Sequence, residues 1–343
     1  MNKRITMLDV ADAAGVSPAT ASRALSGNPK VDPELARRVV DASIQLGYSA
    51  NAMARALRTR RTDTIGVVVP GINNPYFPSI VEALEGILAE SNRSLILCNS
   101  RQEPVLESSR IDLLINRMVD GLVVIPVSTR ESAAAVAAAA QRVPLVQLDR
   151  YAEAPGTDYV GSDNTTGLRL LMDHLRDMGC RTFAYVGAHP TTSSAHERHT
   201  EFRALTAPQR PAAPHHWELL GDFSMEWGSA AARLLLAGGP LPDAIICGAD
   251  VVAIGLLAVL NDAGIGIPAQ VKIGSFDDVS LSLITTPKLT SVRHPVADLA
   301  RETIRLLDER SLNRGGPGRK SIFCPQLMVR ESTAGLEVGG AGA

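Results

Sequence analysis

Three aspartates stand at the ends of predicted buried strands, where their side chains could bind a polar ligand. Asp149 follows the apolar run Leu145–Leu148 and precedes Arg150, and Asp250 and Asp277 follow two later strand runs. Side chains at the carboxyl ends of parallel strands line the ligand crevice of an open sheet. Carboxylates accept hydrogen bonds from hydroxyl groups, and arginine donates to oxygen, so these residues predict binding of a hydroxyl-bearing molecule. The alternative for each aspartate is capping of the following helix.

The sequence lacks the common motifs of catalysis. It has no GxGxxG after a strand, no P-loop, no HExxH and no GxSxG. The four cysteines lie far apart, which favours small buried hydrophobes over a disulfide frame or a zinc site. We therefore predict no enzyme activity, no catalytic residue, no metal site and no cofactor.

A second group of residues, near the N-terminus, could bind nucleic acid. Thr6 suits the N-cap of a first helix, with Asp9 at the capping-box position. Gly15 suits a left-handed turn, and Ser17 with Pro18 starts a second helix. This order is typical of a helix-turn-helix, whose second helix enters the major groove of DNA. A small helical bundle without a DNA role is the alternative.

The exposed face of that second helix supplies the predicted DNA contacts. Arg23 has a fork that can hold guanine O6 and N7 together, whereas Pro18 and Ala19 offer only apolar contact. Hydroxyl side chains suit phosphate oxygens. The predicted contacts of the head are Thr6, Ser17, Pro18, Ala19, Thr20, Ser22 and Arg23.

Two patterns of secondary structure position these groups in the 343-residue chain. Residues 1–47 predict three short helices, and from residue 64 strands and helices alternate, which predicts parallel sheets covered by helices. The alternating region is large for one sheet, so we expect two lobes. The stretch 48–62 predicts a linker or one short helix that needs a partner surface, and 335–343 a flexible tail.

Charge is distributed unequally along the chain. Residues 1–62 hold ten basic and five acidic residues, a net +5, whereas the remainder holds 24 basic and 31 acidic residues, a net −7. A basic head on an acidic body indicates a polyanionic partner, and a solvated charged face is the alternative. No apolar run is long enough to cross a membrane, and acidic residues near the start argue against a signal peptide, so we expect a cytoplasmic protein.

Several long segments match the pattern of one family in the same order. The most specific are DVADAAGVSPATASRALSG, the segment YSAN followed by ARAL, and TIGVVVPGINNPYFPSIVEALEG; VDGLVVIP, VPLVQLDR, VGSDNTTG, DAIICGADVVAIGLL, VKIGSFDD and LTSVRHP follow. In these segments the chain resembles the lactose repressor/galactose repressor (LacI/GalR) family of bacterial transcription factors, over nearly its whole length.

The resemblance implies an all-α helix-turn-helix head and an α/β two-lobed effector domain like that of periplasmic binding proteins, with parallel sheets and helices on both faces. The head would be 1–47, the hinge helix 48–62 and the effector and dimerisation domain 63–334. Its N-lobe would comprise about 63–161 and 292–322, and its C-lobe about 162–291 and 323–334.

The resemblance also implies contacts between the hinge helix and DNA. Leu57 matches the family's leucine that wedges into the minor groove, and wedges of this kind kink DNA. The hinge contacts implied are Asn51, Ala54, Leu57 and Arg58. Ala50 stands where the family usually has proline.

For the effector, the resemblance implies a cleft between the lobes. Arg198 and Asp277 match the family's effector-binding pair, and Tyr76, Phe77 and Phe223 match aromatic cleft positions. Glu201 replaces a glycine usual in the family. The implied effector contacts are Asn73, Tyr76, Phe77, Asp149, Arg198, Phe223, Asp250 and Asp277.

The function expected from these features is sequence-specific transcriptional regulation. We expect a repressor that binds double-stranded DNA at a pseudo-palindromic operator as a homodimer, with an activator role left open. A sugar or sugar-derived metabolite is the first candidate for the effector; a nucleoside or purine acting as corepressor is the second. A cytoplasmic sugar-binding protein or enzyme, or a secreted binding protein, would not need the basic head.

Overall fold

The computed structural model describes residues 5–25, 28, 30–48, 61–207, 217–313 and 315–334. The chain divides into two compact units, 1–62 and 63–343. No helix in the described part of the chain is long and apolar enough to cross a membrane.

The described residues of the N-terminal unit form three helices, and the ends of these helices follow local capping rules. They are α1 (Met7–Ala14), α2 (Pro18–Leu25) and α3 (Pro33–Gln45). The predicted capping box between Thr6 and Asp9 is confirmed, and Gly15 ends α1 with a φ of 64°. The core between the helices consists of small side chains, since five of its seven buried members are alanines. Small side chains let three short helices approach closely.

The second unit alternates strands and helices as predicted. Its strands are β1 (Thr64–Val69), β2 (Ser94–Asn99), β3 (Gly121–Val124), β4 (Leu145–Leu148), β5 (Asp158–Ser162), β6 (Phe183–Ala188), β7 (Glu218–Gly221), β8 (Ala244–Cys247), β9 (Lys272–Asp277), β10 (Thr290–Arg293), β11 (Lys320–Phe323) and β12 (Gln326–Met328). Its helices are α4 (Tyr76–Glu90), α5 (Pro104–Asn116), α6 (Ala133–Arg142), α7 (Asn164–Asp177), α8 (Ser193–Thr206), α9 (Met225–Ala237), α10 (Asp250–Asp262) and α11 (Val296–Leu312), and a 3₁₀ turn covers Ser280–Leu283.

The strands form two six-stranded sheets, each the centre of one lobe. The first sheet has the order β11-β5-β4-β3-β1-β2, and all its neighbours are parallel. The second has the order β12-β10-β9-β8-β6-β7, with β12 antiparallel to β10. The chain crosses between the sheets after β5, after β10 and after β11. The carboxyl ends of the parallel strands carry the polar residues described next.

Helices cover both faces of each sheet. In the first lobe α4 and α11 pack on one face and α5 and α6 on the other. In the second lobe α9 and α10 pack on one face and α7 and α8 on the other. Two glycines let α9 and α10 touch backbone to backbone: a Cβ at Gly228 would lie 2.0 Å from the Val252 carbonyl oxygen, and one at Gly255 would lie 2.0 Å from that of Met225.

Candidate DNA-binding and effector sites

In the N-terminal unit, the second helix presents the predicted DNA contacts to solvent. Ser17, Pro18, Ala19 and Arg23 are exposed, and the buried face of α2 carries Ala21 and Ala24. Thr20 and Ser22 are half-buried, and Thr6 is exposed. A helix with one buried alanine face and one open polar face is what entry into a major groove requires.

Two local contacts fix the start and the long side chain of α2. The Ser17 hydroxyl accepts from the Thr20 backbone N–H at 3.1 Å, which satisfies a donor that the helix itself leaves unpaired. The Arg23 Nε donates to the Ala19 carbonyl at 3.2 Å. The predicted hinge contacts Asn51, Ala54, Leu57 and Arg58 lie outside the described residues.

In the second unit, the ends of β4 and β9 turn two carboxylates toward the space between the lobes. Asp149 follows β4 with a φ of 64°, and Asp277 ends β9 with a φ of 104°. This left-handed backbone is strained for a residue with a side chain and is concentrated at functional sites in proteins. The Tyr76 hydroxyl donates to Asp149 Oδ1 at 2.8 Å, so the start of α4 fixes that carboxylate.

Arg198, on α8, is the centre of a buried hydrogen-bond network. Its Nε donates to Asn164 Oδ1 at 2.8 Å and its Nη1 to the Gly248 carbonyl at 2.6 Å. Its Nη2 lies 3.1 Å from His294 Nε2. Burial lowers the pKa of His294 to about 3, so the ring is neutral and Nε2 can accept from the guanidinium. The arginine is therefore held by residues from three separate segments.

The carboxylate of Asp277 lies beside this arginine without a direct hydrogen bond to it. Its Oδ1 is 3.8 Å from Arg198 Nη1 and 3.7 Å from His294 Nε2. Burial raises the pKa of Asp277 to about 6, and the Arg198 charge and a hydrogen bond from Asn74 oppose that rise. A loosely paired donor and acceptor of this kind can take a ligand hydroxyl group between them.

Asp250 is fully occupied by its own chain. Its Oδ1 accepts from the hydroxyls of Ser275 and Ser291, and its Oδ2 accepts from the Val279 N–H and the Ser282 hydroxyl. Burial raises its pKa to about 7, with the Asp277 charge next in size. The structure therefore places Asp250 as an anchor of the loop after β9, not at the wall of the cleft.

A cavity of about 610 Å³ lies between the lobes and is lined by both. Asn73, Phe77, Arg150 and Phe223 are among the residues that line it. The Arg150 Cζ lies 5.3 Å from the centre of the Phe77 ring and 5.1 Å from that of Phe223. The guanidinium thus covers the faces of two aromatic rings that belong to different lobes.

Comparison with known proteins decides the family. Residues 6–51 match the model of bacterial regulatory proteins of the lacI family, and residues 172–333 match a periplasmic binding protein-like domain. The chain is 30% identical over 97% of its length to a ribose operon repressor from Halalkalibacterium halodurans, 98% of which is covered. The chain belongs to the lacI family.

Other proteins similar to this lacI-family member are also named as transcriptional regulators. It is 29% identical, over 95% of its length and 98% of the relative, to an HTH-type transcriptional repressor PurR from Mannheimia succiniciproducens. A solved structure of a transcriptional regulator CelR–cellobiose complex is 28% identical, with a TM-score of 0.71, covering 96% of this chain and 100% of that one. A lac repressor dimer bound to operator and the anti-inducer ONPF shares the fold, with a TM-score of 0.86 at 24% identity and coverage of 96% and 99%.

These findings establish the general function of the lacI-family regulator. It is a DNA-binding transcriptional regulator controlled by a small-molecule effector. The relatives are named as repressors and transcriptional regulators, not as enzymes. Within the residues that the structure describes, no group of three or more His, Cys, Asp or Glu side chains is arranged to hold a metal ion.

Sequence reasoning missed two members of this regulator's cleft and undervalued a third. Asn164 and His294 were not singled out, although each hydrogen-bonds the arginine at the centre of the network. Arg150 was noted only as the neighbour of Asp149. Asn164 lies in the segment VGSDNTTG that carries part of the family resemblance, and this position could have marked it. His294 gives no comparable signal, because its contact to Arg198 joins residues 96 positions apart.

The departure from the family pattern at Glu201 has a local explanation. Its carboxylate accepts from Arg169 Nε at 2.7 Å, which ties α8 to α7. The next residue, Phe202, is buried and packs at 5.2 Å against Tyr185. The glutamate is therefore accommodated on the side of α8 that faces α7, while Arg198 lies in the cleft.

Proposed function

We propose that this regulator represses transcription as a homodimer on a pseudo-palindromic operator and that a hydroxyl-rich small molecule bound between its lobes controls operator affinity. The observation that carries the effector proposal is the buried group of alternating donors and acceptors beside the 610 Å³ cavity. Such a protein works on chromosomal DNA and therefore in the bacterial cytoplasm.

The arrangement of the head supports the assignment of DNA contacts. In this proposal Arg23 reads a guanine, Pro18 and Ala19 meet apolar base edges, and the hydroxyl groups of Ser17 and Thr20 bind phosphate. Leu57, by resemblance, opens the minor groove at the centre of the operator. A two-fold symmetric protein then selects a site with matching symmetry.

Donors and acceptors alternate around the proposed effector position. Tyr76 occupies one oxygen of Asp149 and leaves Oδ2 for a ligand, and Arg198 stands next to the loosely held Asp277. A polyol satisfies both types of group at once because each hydroxyl donates and accepts. The names of the relatives, a ribose operon repressor and a cellobiose complex, support the same chemical class.

A flat base is the second candidate, and aromatic residues in the cleft favour it. Phe77 and Phe223 line the cavity, and the Tyr76 ring lies 5.5 Å from that of Phe77. Stacking of a purine between the two phenylalanine rings, however, requires that Arg150 leave the place it occupies. The arginine therefore favours the hydroxyl-rich ligand.

Hydrogen bonds that join the two lobes would change with lobe closure. The Thr129 N–H donates to the Thr191 carbonyl at 2.8 Å, and the Tyr151 N–H donates to the Ser193 hydroxyl at 3.0 Å. A ligand that binds the closed arrangement better than the open one shifts the population toward closure. Operator affinity changes to the extent that closure and DNA binding are coupled.

Selection from random duplexes tests this function. Purified, effector-free protein is used at moderate salt so that phosphate contacts do not dominate. We expect enrichment of one palindromic sequence, and added sugars or sugar acids should change the affinity for that sequence more than added adenine does. No enriched sequence, with or without these compounds, would contradict the proposal.

A further inference from the structure

Arg150 is a buried cation whose hydrogen-bonding capacity is unused. Its side chain is 6% exposed, and its Nε has no hydrogen-bond partner. Its guanidinium makes no hydrogen bond with any other residue that the structure describes. Since the same side chain lines the 610 Å³ cavity, its donors are accessible to a ligand there.

The nearest carboxylate does not satisfy this cation. Asp149 Oδ2 lies 3.8 Å from Arg150 Nε, beyond hydrogen-bond distance, and the other oxygen already accepts from Tyr76. Burial between two phenylalanines lowers the pKa of Arg150. The negative charge of Asp149 raises this pKa, and the positive charge of Arg198 lowers it. A buried charge without a hydrogen-bonded partner is costly, so a further acceptor is expected in the ligand.

The surroundings of the cavity favour an acceptor with negative charge. Among its lining residues the charged ones are Arg101, Arg150 and Glu226, which sum to +1. Arg101 and Glu226 are both exposed, so water screens both of their charges, whereas Arg150 is buried. Ser224 and Met225 at the start of α9 also line the cavity, and the amino end of this 13-residue helix adds positive potential.

We propose that the effector carries an anionic group, a carboxylate or a phosphate, that pairs with Arg150. Guanidinium groups bind both anions through paired N–H donors, and burial strengthens the pairing. The hydroxyl-bearing part of the ligand then reaches the Arg198 network. This inference rests on the proposed effector site and narrows its ligand from a polyol to an acidic polyol.

Thermal unfolding with an inorganic anion tests the pairing. The full chain is melted in 20 mM phosphate and in sodium chloride of equal ionic strength. Phosphate should raise the Tm of the unaltered protein by about 2–4 °C. Arg150→Gln should lose that increase, and Arg150→Lys should keep part of it. Arg233→Gln, a change at an exposed arginine of α9, should behave like the unaltered protein.

Matched ligands distinguish the two sources of charge. Stabilisation by D-gluconate above that by D-sorbitol indicates a carboxylate, and stabilisation by glucose 6-phosphate above that by glucose indicates a phosphate. Either result supports the proposal if Arg150→Gln abolishes the difference. Equal protection of Arg150→Gln and the unaltered protein overturns it. So does a lack of any advantage of the anions over their neutral counterparts.

Operator selection separates this inference from the proposed function. If the selection finds an operator but anions do not bind through Arg150, the inference of an anionic effector is wrong and the operator proposal stands. Arg150-dependent anion binding in a protein that selects no operator overturns the operator proposal and leaves the anion site supported.

Discussion

Three aspartates with the same position relative to a strand differ in their hydrogen bonding. Asp149, Asp250 and Asp277 each lie at or after the end of a strand, yet of these three only Asp250 has both oxygens filled by protein donors. Asp149 and Asp277 keep acceptor capacity beside arginines at 3.8 Å. The difference lies in the three serines that surround Asp250, and it separates an anchor from two candidate ligand contacts.

Arg23→Ala should weaken operator binding by about 1–3 kcal/mol, because a bidentate contact to guanine is lost. Weak binding to random DNA should persist, since it depends on phosphate contacts. Fluorescence anisotropy with operator and scrambled duplexes measures both. Arg37→Ala, at an exposed residue of α3, is the control. Equal losses on both duplexes would contradict a base contact by Arg23.

Arg198→Ala should abolish the effect of the effector on operator affinity while effector-free binding remains. The arginine joins Asn164, Gly248 and His294, so its removal dismantles the site that a ligand would meet. Operator titrations with and without effector measure the response. Arg203→Ala, at an exposed arginine of the same helix, should retain it. An intact response in Arg198→Ala would remove Arg198 from the site.

The raised pKa values of two buried carboxyl groups predict a pH dependence of stability. Burial raises the pKa of Asp250 to about 7 and that of Asp277 to about 6, against about 3.9 in the unfolded chain. Between those values the folded state holds more protons, so this contribution to stability falls as pH rises from about 4 to 7. The slope approaches about 1.4 kcal/mol per pH unit for one proton. His294, with its lowered pKa, contributes the opposite slope.

Asp250→Asn isolates the carboxyl contribution from that of the histidine. The stability of the unaltered protein relative to this variant should decrease as pH rises from 5 to 7. Only in the unaltered protein does unfolding release a proton from residue 250, and higher pH favours that release. Urea unfolding at each pH gives the difference in free energy of unfolding. A difference that stays constant over this range would show that Asp250 does not titrate there.

At the scale of elements, the contact between α9 and α10 sets the position of one cavity wall. Gly255→Ala should lower the free energy of unfolding by about 1–3 kcal/mol, because its Cβ would lie 2.0 Å from the Met225 carbonyl oxygen. Gly86→Ala, in open space on α4, should raise it by about 0.5–1 kcal/mol. Denaturant titration compares the two. An unchanged stability of Gly255→Ala would mean that the helices can separate at little cost.

At the scale of the whole molecule, the proposed function requires the head, the segment that follows it and the two lobes to work together in operator binding. Leu57→Ala should reduce operator bending, because the family resemblance assigns this residue the apolar wedge that kinks DNA. Energy transfer between dyes at the two ends of an operator duplex measures the bend. Leu312→Ala, at a 90% exposed leucine of α11, is the control. Unchanged bending in Leu57→Ala would contradict the wedge.

The sequence by itself determined the features that depend on neighbours in the chain. Caps act over three residues, so the capping box of α1 and the start of α3 at Asp32 were predictable. Buried strands are continuous apolar runs, so Leu145–Leu148 was predicted with the bounds observed. Helix α8 was not predicted because its sequence, SSAHERHTEFRALT, has little apolar periodicity.

Only the tertiary structure decided which of the candidate residues meet. Arg198 contacts a histidine 96 residues away, and Arg150 is enclosed by rings from two lobes. Such contacts depend on the order of strands within each sheet, which brings distant segments to one edge. Burial follows from the same packing. Among the described residues it leaves Asp250 with both oxygens occupied, Asp149 and Asp277 with free acceptor capacity, and the Arg150 guanidinium without a hydrogen-bond partner beside a cavity.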